Sequence, residues 1–427
     1  SPAMQRLTRN AIATLSDPGA IDELGIGIFR DSISNLLFPG TTVTMTRAVY
    51  LAFLPACMHQ TEAWLYHEWE KSRISPSAER YQTRMRQFQN SFCKANLEKQ
   101  GIIGRDNVSR RTAVGDDDDA HAYVVRYPFS IYWNALCRWN LIPGGRDENG
   151  NNPSIAAYIQ KSCNFIHEHN DPEARWAEFD CGERKYADGR NKCVLFDSEQ
   201  KLIIRQMIEA LPDTLLGPMV RYGCDPGKHL HDSLTEDRIA GIPLDKISDE
   251  IRKAVQDMAF FTTFMRTAFS GYNALLNWDV HKQTFQESLS EFQNHYEQSD
   301  AQKHLANMQA RVAVKNDTFA FLNAWLNSCF KSFPTKSVPD LELIANQEYA
   351  KKHGRAKIWN AWGKNRQNFA LMNKLQWESR NSDFPVLKPE KGWIGMNILD
   401  YRWKETARLI HDLLENKYVG EVSSVKE

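Results

Sequence analysis

The chain lacks a charge surplus of either sign, with 53 lysines and arginines facing 53 aspartates and glutamates over 427 residues. A general coat for nucleic acid is excluded on that ground, because such proteins carry an overall basic excess that draws in phosphates; any such binding has to be local. Long apolar runs are missing too. A bilayer span needs about 20 apolar residues, and the longest candidate, Met258 to Leu276, is broken by Arg266 and by threonines. It is expected to be a buried helix, with no membrane partner. The 8 cysteines stand at irregular distances, unlike the dense framework of a small secreted domain, which points to a reducing cytoplasm. No glycine-rich phosphate loop with a following Lys-Ser or Lys-Thr occurs, so an autonomous NTPase is not expected. Gly25-Ile26-Gly27 instead suits a tight entry into a helix beginning near Ile28. Tandem repeats are absent, and no low-complexity tract exceeds the four aspartates Asp116 to Asp119. Ser1-Pro2-Ala3 ahead of Met4 is expected to be an added tail, without the basic-then-apolar pattern of a leader.

Present almost throughout is apolar spacing of three and four residues, while sustained period-two alternation is scarce, so the fold class reads as mainly α: a multi-helix globular protein with few short strands. Two parts are expected: a helical module over 4–142, and a helical C-terminal region over 153–427 with an irregular insertion near 170–193. The stretch from Pro143 to Pro153, rich in Gly, Asn and Asp, reads as the linker. A helix is predicted over 43–70, kinked or divided at Pro55, and another over 77–99 stopping at Gly101. Ile102-Ile103 and Ala122 to Tyr127 suggest a hairpin around a polar loop, followed by a helix from Pro128 to about Asn140. Helix, hairpin, helix fits a winged-helix-like N-terminal module and equally fits unrelated packings. Further helices are expected over 198–210, 213–221, 245–277, 282–297, 299–330, 339–353, 356–376 and 402–416.

Two local basic segments stand out. Arg80, Arg84, Arg86, Lys94, Lys99, Arg105, Arg110 and Arg111 are opposed between 80 and 111 by Glu98 and Asp106 alone. Arg80 and Arg84 are spaced to share a helix face, and such clusters attract phosphates because binding releases condensed counterions. The second runs from Lys351 and Lys352 through Arg355, Lys357, Lys364, Arg366, Lys374 and Arg380, interleaved with Trp359, Trp362, Phe369 and Trp377. That pattern suits a single strand gripped by phosphate contacts and base stacking. Both also fit bland readings, a solvated helix face and an amphipathic core stripe. The candidate nucleic-acid-binding residues are Arg80, Arg84, Arg86, Arg105, Arg110, Arg111, Lys357, Lys364 and Arg366.

Other chemistry is thinner. Cys163, His167, His169, Cys181 and Cys193 suit zinc by type, but their spacing matches no paired-knuckle site, and buried thiols with surface histidines are the default. Asp171, Asp180, Glu183 and Lys185 follow a nuclease-like order without a core strand to gather them on a magnesium ion. His229 and His231 lie close to Asp225 and Asp232 with no serine or cysteine elbow. No catalytic residue, metal site or cofactor is therefore assigned.

Asp22 to Asp31 with Gly25 and Gly27, then Phe38-Pro39-Gly40 to Thr46-Arg47 and Tyr50, Tyr132-Trp133 with Trp139, and Leu399-Asp400-Tyr401-Arg402-Trp403 together resemble the bacterial domain-of-unknown-function family 6361. Arg30, Arg47 and Arg402, with Asp31 and Asp400, belong to these blocks. An arginine in such company is either a buried fork-shaped pair that locks helices together or a phosphate clamp, the structural role being favoured. The loop at 106–121 and the zone at 170–193 depart from the family pattern. The resemblance implies bacterial defence neighbourhoods that contain helicases and other nucleic-acid enzymes. The expected function is thus a non-enzymatic component of a bacterial multi-protein, anti-phage system, binding DNA or partner proteins, a helicase among them, through local basic surfaces. The alternative is a metal-dependent nuclease or nucleotide hydrolase whose acids gather from distant positions.

Overall fold

The computed structural model describes residues 26–104, 126–179, 193–223, 247–276, 278–311 and 401–415, with 319, 322–323, 326–327 and 329–330. The described residues are helical or irregular and include no strand, so the fold is mainly α. Most of the expected hairpin falls at 105–125, outside the described residues. The helices are α1 (Ile26–Leu37), α2 (Tyr50–Ser72), α3 (Ala78–Ala95), α4 (Pro128–Arg138), α5 (Ile155–His167), α6 (Pro172–Trp176), α7 (Asp197–Ala210), α8 (Leu216–Arg221), α9 (Asp249–Leu276), α10 (Trp278–His295), α11 (Gln298–Arg311) and α12 (Trp403–Glu415). The chain forms two compact units, one of residues 1–33 and 252–401, the other of residues 34–251 and 402–427.

In the larger unit α2 begins at Tyr50 rather than near 43. The backbone N–H groups of Thr46 and Arg47, which a helix extended to 43 would use internally, donate instead to the Tyr132 hydroxyl at 2.9 Å. Pro55 does not divide α2, which is continuous to Ser72. It ends where Arg73 adopts a left-handed φ of 55° and donates its N–H back to the Trp69 carbonyl at 3.1 Å. Helix α3 is capped by the Ser77 hydroxyl, which accepts the Arg80 N–H at 3.3 Å. It stops at Ala95, short of Gly101, with the Asn96 side chain donating to the Phe92 carbonyl at 2.8 Å. The buried stripe of α3, Tyr81, Met85, Gln89 and Phe92, recurs at helical spacing. Phe92 packs 4.2 Å from Phe53 and 5.5 Å from Tyr50, whose ring lies 5.1 Å from Tyr132. These aromatics form the centre of this unit's core.

The Pro143 to Pro153 stretch runs inside the same unit and carries its own order. The Asp147 carboxylate accepts the N–H groups of Asn151 and Asn149 at 2.7 and 2.9 Å, which holds its proton affinity below the usual range. Within the zone read as irregular from 170 onward, Asp171 caps the short helix α6, with Pro172 at its first position.

The other unit is built on α9, α10 and α11. Met258, Phe260, Phe261, Phe264 and Met265 of α9 are buried, as the reading of this stretch as a core helix requires. Phe260 stacks on Phe264 at 5.6 Å, and Phe292 of α10 lies 5.7 Å from Phe264. The Asp257 carboxylate meets His304 Nδ1 at 2.7 Å and ties α11 to α9. No described helix is long and apolar enough to cross a membrane.

Cys57, Cys93, Cys137, Cys163, Cys193 and Cys329 are buried thiols outside any disulfide. Burial pushes Cys93 and Cys163 up to about 11, and Cys137 and Cys329 up to about 12. An unfolded thiol ionises near 8.5, so below that pH the two states bind equal protons and stability is intact. As pH rises from about 9 towards 11 the unfolded chain alone loses protons, and stability falls. The urea midpoint is expected to hold from about pH 6 to 7.5 and to decline steadily from about pH 8.5 to 10.5. A flat profile over that range would contradict thiol burial.

Candidate functional site

Most of the blocks that carry the family resemblance converge in the larger unit. Gly40 takes a φ of 93°, and any side chain there would stand 2.6 Å from the Trp139 indole nitrogen and 3.1 Å from the Ala135 backbone. The missing side chain lets the indole donate to the Pro39 carbonyl at 2.7 Å. The Tyr132 hydroxyl, besides accepting from Thr46 and Arg47, donates to the Arg47 carbonyl at 2.8 Å. From the C-terminal end, Arg402 donates to the Asn35 side chain and the Thr41 carbonyl at 2.8 Å, and Trp403 lies 5.9 Å from Phe38.

Of the arginines in these blocks Arg47 is the buried one. Its fork donates from Nε and Nη2 to the two Asp412 oxygens, both at 2.9 Å, with side-chain exposures of 4% and 5%. Asp412 also accepts the Ala48 N–H at 2.7 Å, so a carboxylate from α12 satisfies the start of α2 and faces its positive dipole end. Burial alone would push the guanidinium's affinity for its proton down, but the Asp412 hydrogen bond and charge outweigh it and raise it. The structural reading of Arg47 holds, with Asp412 as a partner to which no sequence block points. Arg30 pairs with its neighbour Asp31 at 3.0 Å, and Asp400 lies outside the described residues.

Sequence reasoning misses a second buried centre entirely. Glu62 of α2 has a side-chain exposure of 0%. It accepts from Arg175 Nη1 at 3.1 Å and from the Trp176 indole nitrogen at 2.8 Å, with the Tyr81 hydroxyl at 3.5 Å. Arg175 also donates to Ser162 at 3.0 Å and to the Pro143 carbonyl at 3.2 Å. Burial, then the Glu62 charge, pushes the Tyr81 and Tyr158 hydroxyls well up. The available signal is the cap sequence Asp171-Pro172, which announces a helix carrying Arg175 and Trp176.

Of the basic candidates, Arg80, Arg84 and Arg86 lie on α3. The first two meet on one indole: their guanidinium carbons stand 4.7 and 5.4 Å from the Trp64 ring centre, and Arg84 is also 4.9 Å from Phe88. Arg80 reaches Glu68 at 3.5 Å. Arg86 falls on the opposite margin of the buried stripe, 5.9 Å from Tyr127, so the structure does not unite all three on one face. Neither Arg84 nor Arg86 has a carboxylate partner among the described residues. Arg105, Arg110, Arg111, Lys357, Lys364 and Arg366 lie outside the described residues, as do Asp180, Glu183, Lys185, Cys181, His229 and His231.

His167 and His169 do not join Cys163, which is buried. They pack against Trp69, His167 stacking at 4.8 Å, and His169 meets Glu70 at 2.5 Å. No group of three or more His, Cys, Asp or Glu side chains placed to hold a metal ion occurs among the described residues. A family model described as "Family of unknown function (DUF6361)" matches residues 1–330. No curated protein and no solved structure matches the chain.

Proposed function

This chain belongs to the DUF6361 family of unknown function, and from that premise we propose that it acts without catalysis, as a helical component of a bacterial multi-protein system that contacts nucleic acid or a partner protein through local basic surfaces. The observation that carries the reading is the state of Arg84 and Arg86. Both are positioned by aromatic rings, Trp64, Phe88 and Tyr127, and neither is neutralised by a carboxylate among the described residues. Stacking fixes a guanidinium's plane while leaving N–H edges for an anion, whereas a structural pair such as Arg47–Asp412 has its fork filled. The anti-phage setting and a helicase partner come from the family resemblance alone, and the cytoplasmic setting from the irregular spacing of the cysteines.

Binding of labelled duplex and single-stranded DNA across a salt series tests it. Replacing Arg84 and Arg86 by alanine is expected to weaken binding to unrelated sequences alike, and to lower the slope of log affinity against log salt by about 1 for each phosphate no longer neutralised. A salt-independent affinity, or an unchanged slope in the double variant, would remove the model. Cleavage of the duplex in magnesium would replace it with the nuclease reading.

A further inference from the structure

Asn149-Gly150 is the only Asn-Gly step in the chain, and it stands in a run of exposed residues, 147–151, between α4 and α5. Both ends of that run are pinned to α4. Arg146 donates to the Cys137 carbonyl at 3.4 Å and to the Arg138 carbonyl, the Asn152 side chain donates to Asn134 at 2.6 Å, and the Trp133 indole donates to the Pro153 carbonyl at 2.9 Å. Between the pins the chain turns back on Asp147. The Asp147 carboxylate accepts the Asn149 and Asn151 N–H groups, and the Asp147 carbonyl accepts the Gly150 N–H at 2.9 Å. Among the described residues the Asn149 side chain makes no hydrogen bond, so its amide is free to swing. Gly150 takes a φ of 77° with no atom within 4 Å of where a side chain would stand, so the space beside its α-carbon is open.

We propose that Asn149-Gly150 is a self-modifying site, at which the side-chain amide is lost to water through a cyclic imide, and that Asp147 is the positioning residue that restrains it. The inference is independent of the nucleic-acid reading and needs no reactant beyond water. The Gly150 nitrogen gives its proton to hydroxide and attacks Asn149 Cγ. A nitrogen–carbon bond forms, the Cγ–Nδ2 bond breaks, and the departing nitrogen takes a proton from water and leaves as ammonia. Water then adds to either carbonyl of the imide and reopens it as aspartate or isoaspartate, with no electron gained or lost. Every other asparagine is followed by a residue whose side chain would crowd that ring. The turn sets the rate. While the Asp147 carbonyl holds the Gly150 N–H, that nitrogen keeps its proton and is aimed at Asp147, so the ring closes only when the turn opens. The Asp147 carboxylate resists opening through its two further hydrogen bonds, which also hold its proton affinity low and keep it ionised. Isoaspartate adds a backbone carbon between pinned ends and a third acid after Asp147 and Glu148, so the turn does not close again as before.

Peptide mapping by mass spectrometry of the full chain, held in warm and mildly alkaline buffer, tests the assignment. Amide loss should appear at Asn149 ahead of every other asparagine, with isoaspartate in the product, and Asn149→Gln should abolish it there. Asp147→Ala should speed the loss roughly threefold or more, the worth of an ordinary hydrogen bond. Asp147→Asn keeps an acceptor oxygen and should stay nearer the parent. Circular dichroism confirms that each variant is folded, as substitution of exposed residues permits. The parent unfolded in guanidinium chloride gives the same comparison without a substitution, and should lose the amide faster than the folded chain by at least the same factor. A parent in which Asn149 reacts no faster than the other asparagines overturns the site. Equal rates in the parent and Asp147→Ala, or in the folded and unfolded parent, overturn the restraint.

Discussion

Replacing Arg47 by alanine is expected to destabilise the larger unit by about 3–5 kcal/mol, since it leaves a buried carboxylate without its partner. Asp412 would keep the Ala48 N–H at 2.7 Å but forfeit both fork hydrogen bonds at 2.9 Å, at a position only 5% exposed. The loss is a large share of the roughly 5–15 kcal/mol that separates native from unfolded states in a typical domain. Hydrogen exchange is the appropriate readout, because a chain of two units need not unfold in one step. Amides at the start of α2 and along α12 should open together, since Asp412 is bonded to both Arg47 and the Ala48 amide that leads into α2. The double variant Arg47→Met/Asp412→Leu removes both charges and keeps apolar volume, so it should recover most of the loss. A single variant with protection of α12 unchanged would show that the fork adds nothing to holding that helix.

How much of this is legible in the sequence depends on the reach of each interaction. The α class follows from periodicity, which is local, and so does the existence of α3, α4, α9 and α12. The end of α3 is misplaced by the glycine rule because Gly101 has a left-handed backbone for a different reason: its φ of 78° serves a turn that packs against the Arg47 side chain, with any added carbon 3.0 Å from it. The start of α2 is hidden because its capping groups, Tyr132 and Asp412, stand 85 and 364 residues away along the chain. Arg47 is recognisable as a member of a conspicuous block, yet its partner is not, since an aspartate among helical charges in α12 carries no local mark of burial. Spacing correctly places the arginines at 80 and 84 on a shared side. The same spacing argument, two residues on, sets Arg86 across the helix, so grouping all three by charge alone goes too far.

Glu62→Ala is the second substitution expected to act strongly, and its effect should be concentrated on α6. A helix of five residues has no stability of its own, because nucleation alone is unfavourable and short helices melt in water. What holds α6 is the tether from Arg175 and Trp176 to one fully buried carboxylate, together with the Arg175 bonds to Ser162 and the Pro143 carbonyl. Removing Glu62 strands the guanidinium and the Trp176 indole N–H in the interior, which costs about 3–5 kcal/mol for the charge alone. Arg175→Ala should be as severe, for it leaves the Glu62 carboxylate buried with the Trp176 and Tyr81 groups and no cation. The double variant should lose less than the sum, and that shortfall measures the pairing itself. Glu62→Gln keeps the volume and an acceptor for Trp176, so it should fall between parent and Glu62→Ala. Hydrogen exchange over 172–179 should rise to near-unprotected rates in Glu62→Ala while the α9 to α11 unit keeps its protection. Equal protection of α6 in parent and variant would mean that the apolar burial of Trp176 is sufficient to hold the helix, and that the carboxylate is present for some other purpose.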